Sequence, residues 1–268
     1  MTAAAEPGRR PAKPRGSLAI PLGLVAFVII TWASLSEEFG IGLDLGALAD
    51  SITRGAGILA ELASPNWAFV ADTLPFMLET FQMAIVAAVI GCGLALPVSF
   101  LLSRVTAPNA VAFIAGRSIL SVVRAIPDIL YALIFVASTG IGTLAGIAAL
   151  IFFNVGVVAK LQSETIDGVD QGPIEAARAG GANRTQTVRW SVLPQVLPNY
   201  VAYSLYTFEL NIRAATVIGI VGAGGIGNLL FRQYRFFNWS NVSVIVIELF
   251  VFVMVIEFIS IYLRRRLV

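Results

Sequence analysis

The sequence predicts an all-α polytopic membrane protein of six transmembrane helices, and three observations carry that prediction. The chain of 268 residues is 57% hydrophobic and only 13% charged, where an ordinary soluble domain carries about 25% charged residues. Its mean hydropathy is +0.85. A helical span needs about 20 mostly apolar residues, and six runs qualify: 18–35, 75–103, 110–137, 142–161, 196–221 and 242–263. The basic residues are also sorted by side. With the N-terminus inside, the inner segments hold Arg9, Arg10, Lys13, Arg15, Arg104, Lys160, Arg178, Arg184, Arg189, Arg264, Arg265 and Arg266. The outer segments hold only Arg54, Arg232 and Arg235. Under the positive-inside rule this places both termini in the cytoplasm and requires an even number of spans.

The elements follow in order. Residues 1–17, with four basic residues and three prolines, read as a disordered cytoplasmic tail. The run 18–35 mimics a signal peptide, but no small-residue cleavage site follows Trp32, so an uncleaved first span is expected. The extracytoplasmic segment 36–74 is acidic, and its 45–63 stretch suits an amphipathic helix lying on the membrane. A core of 75–263 contains the remaining five runs, and 264–268 form a cytoplasmic C-terminus. Within 222–241, the cluster Arg232, Tyr234, Arg235, Phe236, Phe237 and Trp239 suits an interfacial or re-entrant piece.

The stretch 162–198 is a polar island between two apolar runs, and it is written as two short helices with defined ends. Gly172-Pro173 opens the first, because Pro presets φ at the first helical position. Glu175 in the first turn favours the helix dipole. Ala176, Ala177 and Ala179 are strong helix formers, and Gly180-Gly181 suits a left-handed cap. Asn183 caps the second helix, with Gln186 as its capping-box partner. A capped surface helix between spans is suited to being gripped by another protein.

These residues carry a resemblance. Glu175-Ala176-Ala177, Gly181 and Leu193-Pro194 resemble the EAA loop of permease subunits of bacterial ABC importers. One position departs: two residues before Leu-Pro the pattern is aliphatic, and here it is Ser191. FELNIRAATVIGIVGAGGIG (208–227), RAIPD (124–128) and LET (78–80) narrow the likeness to phosphonate-type importers, over roughly residues 74–263. The resemblance implies the six-span permease fold of the methionine-importer type. It also implies a homodimer around the passage, with Glu175, Ala176, Ala177, Gly181, Leu193 and Pro194 coupling to a cytoplasmic ATPase that holds ATP and Mg. A binding protein would deliver a phosphonate, phosphate or phosphite from outside. A sister importer for methionine or another small organic solute shares the fold and is the alternative; a secondary transporter is a remote one.

Charges inside the runs point to function or to helix pairing. Each costs about 2.5–3.5 kcal/mol near the bilayer centre, so each faces a partner or a water-filled cavity. Arg124 with Asp128, and Glu209 with Arg213, have i,i+4 spacing. With Glu79, Pro127 and Asn211 they are candidates for a passage or gate, where guanidinium groups match oxyanions. Structural pairing of the arginines with Glu79, Glu209 or Asp128, locking helices together, is the competing reading. Arg117 is expected to snorkel to the inner face, and Glu257 to reach water or Arg264.

Several chemistries are excluded. With no His and one Cys (Cys92) there is no His-based acid–base catalysis and no intrachain disulfide. No metal or other cofactor site is expected on this chain, and without a G-x-x-x-x-G-K-[ST] motif it has no P-loop of its own, so it is not an enzyme by itself. Gly222, Gly224 and Gly227 match a dinucleotide fingerprint only in spacing, because Glu248 at the expected distance lies inside a membrane-length run. Those glycines are expected to bend and pack backbone at the outer surface.

Overall fold

A computed structural model describes residues 19–36 and 45–265. The basic tail at 1–17 and the chain beyond Arg265 lie outside the described residues, as does 37–44. All regular elements among the described residues are helical. Chain contacts divide the molecule into two units after Gly57.

The first unit holds α1 (Ala19–Leu35) and the beginning of α2 (Leu45–Leu62). Helix α1 is apolar throughout, and its 17 residues rise about 26 Å at 1.5 Å each. Helix α2 falls on the expected amphipathic stretch.

The second unit begins at Ile58. Ser243 Oγ donates to Leu62 O at 2.6 Å, and Asn66 Nδ2 donates to Asn241 Oδ1 at 3.0 Å. These bonds tie the end of α2 to the start of the last helix. After one turn at Trp67–Phe69 come α3 (Val70–Leu101), α4 (Ala110–Ala125), α5 (Asp128–Thr139) and α6 (Thr143–Asp167). The polar island forms α7 (Gly172–Ala179) and α8 (Arg184–Thr187). A π-helical turn, Val188–Val192, leads into α9 (Leu193–Gly219), followed by α10 (Gly225–Arg235) and α11 (Trp239–Arg264).

Helices α3, α6 and α9 pack against one another at the centre. Lipid gives helices no hydrophobic reason to associate, so close approach through small residues and polar bonds does the work. Helix α3 buries Ala84, Ala87, Ala88, Gly91 and Ala95. A Cβ on Gly91 would lie 2.5 Å from Asn154 Cβ. Asn154 Nδ2 donates to Ala87 O at 2.9 Å, and Asn211 Nδ2 donates to Ala84 O at 3.2 Å. Two carbonyls one turn apart on α3 thus anchor α6 and α9.

Each of the six predicted runs is largely helical where described, but they are not equivalent. Trp67–Leu101, Thr143–Asp167 and Trp239–Arg264 are each long and apolar enough to cross a membrane. Helix α9 is long enough but carries Glu209, Asn211 and Arg213. The third run, 110–137, is not one helix: α4 and α5 meet at 85°. Ile126 is extended (φ −84°, ψ 122°), as the residue before a proline prefers, and Pro127 removes the amide that would continue the helix. Tyr131 Oη donates to Val123 O at 2.8 Å across the break.

The glycine-rich turn after α9 bends the chain back sharply. A Cβ on Gly219 would lie 2.7 Å from both Gly227 Cα and Gly224 O, so α10 can fold against the end of α9 only without side chains there. Gly142 N donates to Gly222 O at 2.9 Å and joins this turn to the α5–α6 loop.

Candidate functional site

The loop between α6 and α9 is built as its residues dictate. Helix α7 starts with Pro173 in its first turn, beside Glu175. It ends in a Schellman cap: Ala182 N donates to Ala177 O and Gly181 N to Arg178 O, both at 3.0 Å, with Gly181 at φ +80°. Asn183 Oδ1 accepts from Gln186 N at 2.9 Å while Asn183 N donates to Gln186 Oε1 at 2.8 Å, completing the capping box.

Only one side of α7 is sunk. Ile174 is fully buried and packs with Ile166 of α6 and Val192 and Val196 at the root of α9. Glu175, Ala176, Arg178 and Ala179 are exposed, and Ala177 is half-buried. Leu193 is half-buried and Pro194 exposed at the root of α9. The departure at Ser191 is compensated: its hydroxyl donates to Pro173 O at 3.0 Å, so a hydrogen bond fastens α7 where the pattern has an aliphatic residue. Gln195 adds a second tie, its Oε1 accepting from Asp170 N at 3.0 Å. Arg184 Nη2 donates to Thr106 O and links α8 to the α3–α4 loop.

A clamp beside this loop escaped sequence reasoning. Asp167, the last residue of α6, accepts from Ser103 Oγ and Arg104 N at 2.6 Å through Oδ1, and from Arg117 Nη2 at 2.7 Å through Oδ2. Arg117 also donates through Nε to Leu102 O at 3.0 Å and stacks 4.6 Å from the Phe113 ring. Arg117 therefore does not end in a free snorkel but joins α3, α4 and α6. The only hint in the sequence was an acid at the inner end of an apolar run, facing basic Arg104 and Arg117 in separate segments.

The candidate passage residues separate into distinct places. Glu209, almost fully buried, pairs with Arg213 at 2.6 Å as the i,i+4 spacing predicts. Arg264 reaches Glu209 at 3.2 Å and Glu257 pairs with Arg213 at 3.3 Å. Of the two expectations for Glu257, solvent or Arg264, the side chain is partly solvent-exposed but does not meet Arg264: α9 and α11 cross so that Arg264 points to the buried Glu209 carboxylate and Glu257 to Arg213. Arg124 and Asp128 form no ion pair among the described residues, because the break at Ile126–Pro127 destroys the helical spacing between them. Both instead line one pocket of 330 Å³ with Pro127, Tyr131 and Gly156. The Asp128 carboxylate accepts from Ile129 N at 2.9 Å. Asn211 is buried against α3 through its bond to Ala84 O, away from that pocket. Glu79 stands apart, its carboxylate beside Gly224 in the glycine turn, with no ion-pair partner among the described residues. The same residues offer no cluster of His, Cys, Asp and Glu that could hold a metal ion.

The chain is similar to known proteins. Residues 95–268 match the family described as binding-protein-dependent transport system inner membrane component. The phosphate-import permease protein PhnE of Mycolicibacterium smegmatis is 38% identical over 83% of this chain, which spans 42% of that relative's length. The phosphite transport system permease protein PtxC of Stutzerimonas stutzeri is 35% identical over 84% of this chain and 82% of its own length. Among solved structures, a chain of the MetNI methionine ABC transporter in an inward-facing conformation superposes with a TM-score of 0.66 at 26% identity, covering 73% of this chain and 96% of that one. A capped, one-sidedly anchored loop helix and a family match over residues 95–268, which takes in the end of α3, that loop, α6 and α9, agree: the chain belongs to the binding-protein-dependent transport system inner membrane components.

Proposed function

We propose that this chain is the membrane-embedded permease subunit of an ATP-driven importer for a phosphorus oxyanion: a phosphonate, phosphate or phosphite. The observation that carries the reading is α7. Its helix is closed at its C-terminal end by the Schellman cap and seated through Ile174, while Glu175, Ala176, Arg178 and Ala179 are left uncovered. A helix fixed in this way can take a push from a cytoplasmic ATPase and pass it to the roots of α6 and α9.

The chain has no P-loop, so ATP and Mg belong to that partner. Two copies enclose the passage about a two-fold axis in the bacterial cytoplasmic membrane, with both termini inside. A loaded binding protein docks from outside, and ATP-driven approach of the two α7 helices turns the passage outward. The pocket of Arg124, Pro127 and Asp128 at the α4–α5 break is the passage element, where an unpaired guanidinium meets the oxyanion transiently. The Glu209–Arg213–Glu257–Arg264 cluster holds α9 to α11. The cargo reading rests on relatives named for phosphate and phosphite transport and on the Arg124 guanidinium, which lines the α4–α5 pocket without an ion-pair partner among the described residues.

The test is ATP hydrolysis by the complex reconstituted in lipid with its ATPase and binding protein. An alkylphosphonate, phosphate, phosphite and methionine are added in turn. Stimulation by a phosphorus oxyanion supports the reading, and stimulation by methionine alone overturns the cargo while keeping the importer.

A further inference from the structure

Helix α10 carries a cavity that the passage described above does not use. One face of α10 is a fixed support: Ile226 and Leu229 are buried against Met77 and Ile245. Its C-terminal end is locked by Gln233, whose Oε1 accepts from Asn238 Nδ2 at 2.9 Å and Asn241 Nδ2 at 3.2 Å. The opposite face presents Asn228, Phe231, Arg232 and Arg235 at i, i+3, i+4 and i+7, so all four stand along one stripe. They line a single cavity of 580 Å³ that also touches Ile220 and Phe236.

Arg232 and Arg235 are exposed, and among the described residues neither has a carboxylate within ion-pair distance. Each is steadied by an aromatic ring instead. The Arg232 guanidinium lies 5.7 Å from the Phe76 centroid and that of Arg235 lies 5.8 Å from the Phe231 centroid. The position is also unusual in charge. Outer segments of a membrane protein are depleted in Lys and Arg, yet two of the three outer arginines in this sequence converge on one cavity. A guanidinium stacked on a ring keeps its edge free for a forked bond to two oxygens.

We propose that the α10 cavity is the outer receiving site of the passage, in which Arg232 and Arg235, with Asn228, take the phosphorus oxyanion as it leaves the binding protein. The assignment rests on the cargo reading above. The two guanidinium groups match the oxygens of a doubly charged anion, and Asn228 supplies an amide donor on the same stripe. Because the site is open to water, its hold is screened and weak. Weak holding suits a station that must release cargo inward to Arg124 rather than store it.

The experiment is uptake of radiolabelled phosphate and of an alkylphosphonate by the complete reconstituted complex, with binding protein raised to saturation. Arg232→Gln and Arg235→Gln are each expected to lower maximal uptake about fivefold, as loss of a solvent-exposed charge-assisted contact implies, and the double variant to lower it further. Arg232→Lys and Arg235→Lys keep the charge and are expected to retain a larger share of uptake at an equal yield of assembled complex, which separates loss of the site from misfolding. Unchanged maximal uptake in both glutamine variants overturns the proposal. So does a defect that vanishes as binding protein is raised, which assigns the arginines to docking that protein. A defect that appears only when phosphatidylglycerol content is changed assigns them to lipid headgroups and overturns it as well. If wild-type complex takes up methionine but neither oxyanion, the cargo reading falls and the receiving site with it; that result is read on the wild type before any variant is compared.

Discussion

Replacing Asp167 with Asn tests the clamp at the inner ends of α3, α4 and α6. The geometry divides the carboxylate into two functions. Oδ1 accepts from Ser103 Oγ and Arg104 N, and an Asn oxygen at that place keeps both bonds. Oδ2 accepts from Arg117 Nη2 at 2.7 Å, and an amide nitrogen there sets donor against donor. Asp167 and Arg117 are 22% and 28% exposed at their side chains, so water screens the pair only in part. Loss of one hydrogen bond between charged groups costs about 1.5–3 kcal/mol, and partial screening places Asp167→Asn at about 2 kcal/mol. Asp167→Ala also strands the Ser103 and Arg104 donors and is expected to cost about 3–4 kcal/mol. For a chain of this size 1 kcal/mol moves the unfolding midpoint by about 2–4 °C, so Asp167→Asn is expected to lower it by about 4–8 °C. The assay is thermal unfolding of the purified chain in lipid nanodiscs, followed by tryptophan fluorescence, with Arg117→Met completing a double-mutant cycle. In the Arg117→Met background the Asn substitution should cost less than about 0.5 kcal/mol. A drop as large with Arg117→Met as without it would refute the pairing, as would no measurable drop in the wild-type background.

At Gly181 a Cβ meets nothing within 4 Å, so Gly181→Ala is expected to cost only the left-handed backbone, about 1 kcal/mol. Gly181→Asn should cost less, and both should keep the chain in the membrane and bound to its ATPase on co-purification. Gly181→Asp places a negative charge on the uncovered side of α7 and is expected to impair ATPase docking without removing the chain from the membrane; normal co-purification and normal transport would defeat the coupling role. Tyr131→Phe deletes the donor to Val123 O at the α4–α5 break and is expected to lower stability by about 1–2 kcal/mol, read as a lower unfolding midpoint. An unchanged midpoint would mean that this carbonyl has another donor.

Local rules suffice for much of this chain. The apolar runs and the caps at Gly181 and Asn183 depend on neighbours within a few residues, so the sequence alone determines them. The i,i+4 pair of Glu209 and Arg213 is legible for the same reason, because both residues sit in one unbroken helix. Where the partner lies on another helix, the sequence is silent. Arg124 and Asp128 have the same spacing as Glu209 and Arg213, yet the 85° bend separates them into two elements and leaves both facing a pocket. Asp167 finds Arg117 fifty positions away only because α4 turns back across the end of α6. The glycines of 219–227 are visible in the sequence as a possible bend, but their use is settled by Gly219 meeting Gly227 in space. The sequence by itself determines which segments are helical and where the capped loop helix α7 lies. Only the tertiary structure decides which charges are neutralised and which remain free, because an ion pair depends on distances that crossing helices set.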